Sequence, residues 1–240
     1  MKPNKVLELF YDRNAPKKEF WNGARDELPI LLGVVPFGLI FGALAINSHL
    51  TITAAQAMSA VIFAGSAQFI AVQMIGAGAS ALVIVVVVFV VNLRHALYSA
   101  SLAPHVKHLK TGWKMLLAYL MTDEAYAVTI THYNQASDPT NKHWYFLGAG
   151  LTLWSTWQIS TALGIFIGAR LPQNWPLGFA LPLTFIALVV PALKDRTSVA
   201  AASLAGLVGL LTLNFPYKTG LLLAALIGIL TGLWVEGRKK

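Results

Sequence analysis

The sequence predicts an all-α, polytopic integral membrane protein with seven or eight transmembrane helices. Three observations carry that expectation. The chain of 240 residues is 56% hydrophobic and only 12% charged, against about a quarter charged in a typical soluble domain. Long apolar stretches recur from Leu28 to Val235, several of them near the roughly 20 residues needed to cross a bilayer. Clusters of Pro, Gly, Asn, Asp and Ser punctuate those stretches. Residues 1–27 read as a basic cytoplasmic segment, 28–235 as one transmembrane domain, and 236–240 as a basic tail.

The net charge of +8 does not point to nucleic acid, because the basic residues flank apolar segments. Lys2, Lys5, Arg13, Lys17, Lys18 and Arg25 precede the first segment, and Arg238, Lys239 and Lys240 end the chain. Basic flanks favour the cytoplasmic side, so both termini are expected inside. The N-terminal segment lacks the short apolar core and cleavage site of a secretory signal. The absence of cysteine excludes disulfides, thiolate metal sites and a cysteine nucleophile. The histidines lack metal-ligand spacing, and there is no Walker loop, GxSxG or HExxH motif. No metal, cofactor or enzymatic activity is expected.

Eight apolar segments lie near 28–47, 55–75, 79–101, 112–134, 144–169, 175–193, 197–214 and 219–235. An even count fits both termini inside. The loop His105-Val106-Lys107-His108-Leu109-Lys110 conflicts with simple alternation, which puts its charges outside. A re-entrant or half-crossing segment near 55–75 or 79–101 would move it inside. A shift of about 122 positions aligns Gly42 with Gly164 and Phe63 with Phe185, which would make two internal repeats of the kind common in transporters. That alignment rests on two identities and carries nothing further.

The first segment reads "LPILLGVVPFGLIFGALA" (Leu28 to Ala45). Pro29 suits the first turn of a helix, whereas Pro36 removes a mid-helix hydrogen bond. Gly33, Gly38 and Gly42 offer a smooth face for close packing. In the second segment, "FAGSAQFIAVQ" (Phe63 to Gln73), the residues Gln56, Ser59, Phe63, Ser66, Ile70 and Gln73 share one helix face, too polar for lipid tails. Gly65-Ser66-Ala67 is a run where a helix could break and present backbone groups to an amino acid. Ser66 and Gln68 are therefore candidate site residues. An ordinary small-residue helix contact is the competing reading.

The third segment ends "FVVNLRHALYSA" (Phe89 to Ala100). Stopping at Leu93 would leave it too short to span, so it is expected to continue to about Ser101. Asn92, His95 and Ser99 then share one face, and Arg94 and Tyr98 another. Snorkelling would take Arg94 to the headgroups. A buried partner is the alternative.

The fourth segment, "LAYLMTDEAYAVTITHY" (Leu117 to Tyr133), supplies such a partner. Read as one helix, it carries Tyr119, Thr122, Tyr126, Thr129 and Tyr133 as a stripe, with Asp123 at mid-span. An acid there costs about 2.5–3.5 kcal/mol on insertion scales and is functional by default. An Arg94–Asp123 or Arg94–Glu124 pair is expected. The two acids point in different directions, so one can pair while the other titrates. A static ion pair is the structural alternative.

The stretches "GVVPFGLIFGALA", "FAGSAQF", "NLRHALYSASL" and "MTDEAYAV" together resemble the AzlC-type family, the large subunit of bacterial two-component branched-chain amino-acid exporters. The resemblance implies residence in the bacterial cytoplasmic (inner) membrane and export of valine, leucine, isoleucine or a similar apolar amino acid such as methionine. It also implies a small AzlD-type membrane subunit as partner. The burial argument, and not the resemblance, makes Asp123, Glu124, Arg94, Asn92, His95, Tyr126, Ser66 and Gln68 the candidates for binding substrate or coupling protons. An uptake permease with the same site is the alternative within transport. An intramembrane enzyme acting on lipid-linked groups through Asp123, Glu124 and His95 is the alternative outside it.

Overall fold

The computed structural model describes residues 14–135, 141–170, 186, 190, 193, 195–216 and 219–238. Among them every regular element is an α-helix. The helices are α1 (Ala15–Asn47), α2 (Ile52–Ile62), α3 (Gly65–Gly76), α4 (Ala81–Asn92), α5 (Arg94–Val106), α6 (Thr111–Tyr119), α7 (Asp123–Gln135), α8 (Lys142–Gly168), α9 (Arg196–Leu211) and α10 (Thr219–Gly237). Three stretches are long and apolar enough to cross a membrane: α1, the run Ala81–Val106 made by α4 and α5, and α10. The segment near 175–193, with Pro182 and Pro191, lies almost entirely outside the described residues.

The scaffold is the pair α1–α8. A Cβ on Gly23 would strike the backbone of Tyr145 and Ala149, one on Gly38 would strike Ser160, and one on Gly42 would strike Thr161 and Gly164. Partner numbers rise together along both helices, so the two run parallel. Glycine removes the side-chain layer that normally keeps helix axes apart, and small residues allow this backbone approach in membranes. Gly38 and Gly42 thus pack as their spacing predicts. Gly33 meets nothing within 4 Å.

The first helix begins at Ala15, so Pro29 is mid-helix and not in the first turn. Residues 15–27 belong to the scaffold because they also pack on α8, with Gly148 set against Phe20 and Ala24. Tyr145 and Phe146 are buried at this end, which we term basal.

The segments near 55–75 and 112–134 do not cross. Gly76, at the end of α3, lies against Ser48, just past the end of α1. A straight helix over 52–76 would be about 37 Å long, yet only a short turn separates Ser48 from α2. The pair α2–α3 is therefore a V whose two ends lie together at the distal end of α1. Its tip is Phe63, at φ 33 and ψ 50, and Ala64, which is extended.

The second V is α6–α7. The Trp113 ring is 4.8 Å from His143 and 5.0 Å from Trp144, and Tyr133 Oη donates to the Lys142 carbonyl at 2.6 Å. Both ends of α6–α7 thus lie at the basal end, and its tip is Leu120-Met121-Thr122. The two hairpins penetrate from opposite ends.

Between them, the α4–α5 run goes from the distal end to the basal end, where the His105 ring lies 5.0 Å from Tyr133. It continues to Val106 with Pro104 inside α5. The interruption falls at Leu93, where bonds from Leu93 N to Val90 O and from Ala96 N to Leu93 O mark a tightened turn. A proline in the last turn of a helix removes a single bond, which the helix tolerates. Helices α9 and α10 pack antiparallel, with Gly228 against Ala205 and Gly220 against Thr212.

Candidate functional site

The two tips and the Leu93 interruption converge on one cavity of about 230 Å³. Ser66, Arg94, Thr122, Asp123 and Glu124 supply its polar wall, and Ile30, Val34, Phe37, Phe69, Leu153 and Trp157 are among its apolar lining. That volume suits a small solute, below the roughly 300–1,000 Å³ of pockets for drug-sized ligands.

Each polar residue is held there by a local cause. Arg94 opens α5 directly after the interruption, which turns its side chain inward. Its Nη1 donates to Asp123 Oδ2 at 3.0 Å, and its Nη2 donates to Ser66 Oγ at 2.8 Å. One guanidinium therefore ties both hairpin tips together. The Arg94 side chain is 29% exposed and that of Asp123 45%, so the pair faces the open cavity and is not sealed in packing.

Asp123 and Glu124 occupy the first turn of α7, where the positive end of the helix dipole favours acids. Thr122 caps that turn, its Oγ1 accepting from Ala125 N at 3.2 Å. The other tip lacks such a cap. Ala64 precedes α3 with no side-chain hydrogen bond to the helix. First-turn N–H groups have no intrahelical acceptor, so the α3 N-terminus offers donors where an anion can use them.

The remaining predicted residues divide. Asn92 and His95 line a separate surface pocket with Tyr119 and Met121, and the His95 Nδ1 contact is to the Asn92 carbonyl at 3.2 Å. The interruption at Leu93 rotates α5 so that Arg94 alone faces the cavity. Tyr126 stacks on Tyr98 at 4.5 Å and donates to Ser101 Oγ at 3.0 Å, tying α7 to α5 away from the cavity. Gln68 is fully buried in α3 with neither amide atom paired, and it is not part of the cavity wall.

The polar face expected along 56–73 is cut at Phe63. Gln56 and Ser59 bond to Gln158 and Thr161 of α8, Ser66 faces the cavity, and Gln73 is exposed. The tyrosine stripe is likewise divided: Tyr119 on α6 donates to the Ala60 carbonyl at 2.6 Å and accepts from Trp154 Nε1 at 2.7 Å.

The tryptophans of "LTLWSTWQIST" (Leu151 to Thr161) read from sequence as interface or packing residues, so Trp157 is not among the predicted site residues. The indole does pack, stacked on Phe41 at 6.1 Å between centroids, but it also walls the cavity. Sequence reasoning missed the role of Thr122, although Thr-Asp-Glu is a helix-start signal. Among the described residues no three His, Asp or Glu side chains cluster as a metal site.

Apolar helices, with two half-length hairpins whose tips meet at a charged cavity, define a helical integral membrane protein. The AzlC protein family model matches residues 29–171, and the chain belongs to the AzlC family. It is similar to the inner membrane protein YgaZ of Escherichia coli, at 28% identity over 90% of this chain and 91% of the relative. An uncharacterized membrane protein of Archaeoglobus fulgidus is 32% identical over 90% of this chain and 94% of its own length. The branched-chain amino acid transport protein AzlC of Bacillus subtilis is 26% identical over 80% of this chain and 76% of its own length. No solved structure matches.

Proposed function

We propose that the chain is a proton-coupled exporter of branched-chain or similar apolar amino acids, acting through the cavity at the hairpin tips. The observation that carries this reading is the bridge Ser66–Arg94–Asp123. It places a cation, an acid and the uncapped α3 N-terminus at one small cavity with apolar walls. A zwitterion with an apolar side chain needs those complements. The substrate carboxylate takes Arg94 and the first-turn amides of α3, and its ammonium takes Asp123. Its side chain lies against Phe37, Leu153 and Trp157. Substrate thus exchanges one internal ion pair for two external ones, and Glu124, which is outside the Arg94–Asp123 bond, is the coupling carboxyl.

Charge distribution supports a cytoplasmic basal end. Between residues 14 and 170, Lys17, Lys18, Arg25, Lys107, Lys110, Lys114 and Lys142 belong to that end, and Arg170 alone follows the distal end of α8. Excess Lys and Arg mark the cytoplasmic face. The α2–α3 hairpin leaves the 105–110 loop at the same end as the start of α1, which supports this reading because both carry basic residues. The family relationship supports a small AzlD-type subunit as partner, and we assign the complex to the bacterial inner membrane with the N-terminus inside.

Inverted vesicles containing the chain and its small partner should accumulate labelled valine when their lumen is acid, and should lose that accumulation when the pH gradient is collapsed. Equal valine content with and without the chain would sink the reading.

A further inference from the structure

Among the described residues, one fully buried acid has no part in the proposed transport step. Glu27 lies on the scaffold helix α1 with 0% exposure, and neither carboxylate oxygen has a hydrogen-bond partner. A carboxylate stripped of water without a partner is costly, so a fold that keeps one there uses it as something other than a fixed counter-charge.

Its surroundings point to a use. Glu27 lies one turn basal of Ile30, on the face of α1 whose Ile30, Val34 and Phe37 line the cavity with Glu124, and Glu124 is the acid of α7 within its electrostatic reach. From α8 the facing group is the Tyr145 hydroxyl, also within reach of Glu27, and on α1 itself the neighbour is Asp26. Tyr145 Oη donates to Asp26 Oδ2 at 2.6 Å, and Asp26 is exposed at the basal end. The same phenol ring stacks on His132 at 3.7 Å, and His132 contacts Glu19 at 3.1 Å. Titratable groups therefore run from the cavity wall to basal water, and Glu27 occupies the buried position between Glu124 and Asp26.

We infer that Glu27 is the relay carboxyl through which protons pass between the cavity and the basal face. The step is a simple transfer. The proton leaves the Glu124 carboxyl, the Glu27 carboxylate accepts it, and Glu27 releases it to water beside Asp26. The transfer between the two acids creates no net charge, because one proton passes from a carboxylic acid to a carboxylate. Glu27 is a positioning and proton-carrying group and does not contact the amino acid.

This inference rests on the proposed proton-coupled transport, and the test separates the two. Wild type and Glu27→Gln are reconstituted with the small subunit in liposomes, and two modes are measured. The first is exchange of labelled for unlabelled valine at equal pH on both sides, and the second is accumulation driven by a pH gradient. The variant should keep exchange at the wild-type rate and lose accumulation above the equal-concentration level. A variant that accumulates like wild type, or that loses exchange as well, overturns the relay role. Wild type that does neither would overturn the transport reading instead. Should Glu27→Gln fail to fold, infrared spectra of wild type and Glu27→Asp provide the second readout. A carboxylic C=O band that titrates with pH in wild type should shift in Glu27→Asp, and a band unmoved by the substitution overturns the assignment.

Discussion

The two hairpins are built to one plan and finished differently. Each has a short helix entering, two or three unwound residues, and a short helix leaving. Both spans are equal in length, since Ile52–Gly76 and Thr111–Gln135 each cover 25 residues. The α2–α3 tip has no charge. It turns on Phe63 in the left-handed region, φ 33, and its outgoing helix starts uncapped. The α6–α7 tip is capped by Thr122 and carries two acids in its first turn. Irregular backbone at membrane depth is tolerated where it lines a cavity, and this pair shows what such backbone can be used for. One tip exposes amide donors for an anion, and the other spends its helix dipole on stabilising carboxylates that can meet a cation or hold a proton.

The largest break in this comparison is removal of Arg94, which hydrogen-bonds to both tips. Arg94→Met should abolish valine flux. It should also lower stability, by more than the ~1 kcal/mol of an exposed pair and less than the ~3–5 kcal/mol of a fully buried one, because the pair is partly exposed to the cavity. Thermal denaturation of the detergent-extracted protein beside a flux assay checks both. Unchanged flux would separate the tips from transport.

The tips themselves should respond unequally. Asp123→Asn removes a charged partner worth about 1.5–3 kcal/mol, so KM for valine should rise by roughly 10- to 100-fold. Ser66→Ala removes one hydroxyl acceptor, costs about 1 kcal/mol and should raise KM by only about fivefold. Equal effects would contradict the division of labour.

Composition and periodicity made the helical class legible, and the contact between Arg94 and Asp123 followed from two charges at comparable depth. The hairpins were legible only as a discord. Periodicity cannot distinguish one 25-residue crossing from two half-length helices, since both bury the same apolar length. The basic residues of the 105–110 loop did carry the information, because simple alternation puts them on the wrong side. The α6–α7 tip contains no Gly or Pro, and only its Thr-Asp-Glu capping pattern announces a new helix. Glu27 was hidden by its neighbours. It sits among the charges that precede the apolar run, and only the close approach of α8 at Gly23 and Gly148 places it in the interior. Asn92 and His95 lie outside the cavity because a turn tightened at Leu93, which a continuous helical period does not show, changes which side chains face in.

The central claim is that each hairpin returns to the end from which it came. The chain has no cysteine, so single cysteines report without background. Ser48→Cys and Ala77→Cys flank the first hairpin, and His108→Cys and Asn141→Cys flank the second. A membrane-impermeant maleimide is applied to intact cells and to inverted vesicles. The account predicts that 48 and 77 are labelled from one side only and that 108 and 141 are labelled only from the other. Labelling of 48 and 77 from opposite sides would make α2–α3 a crossing helix and contradict it.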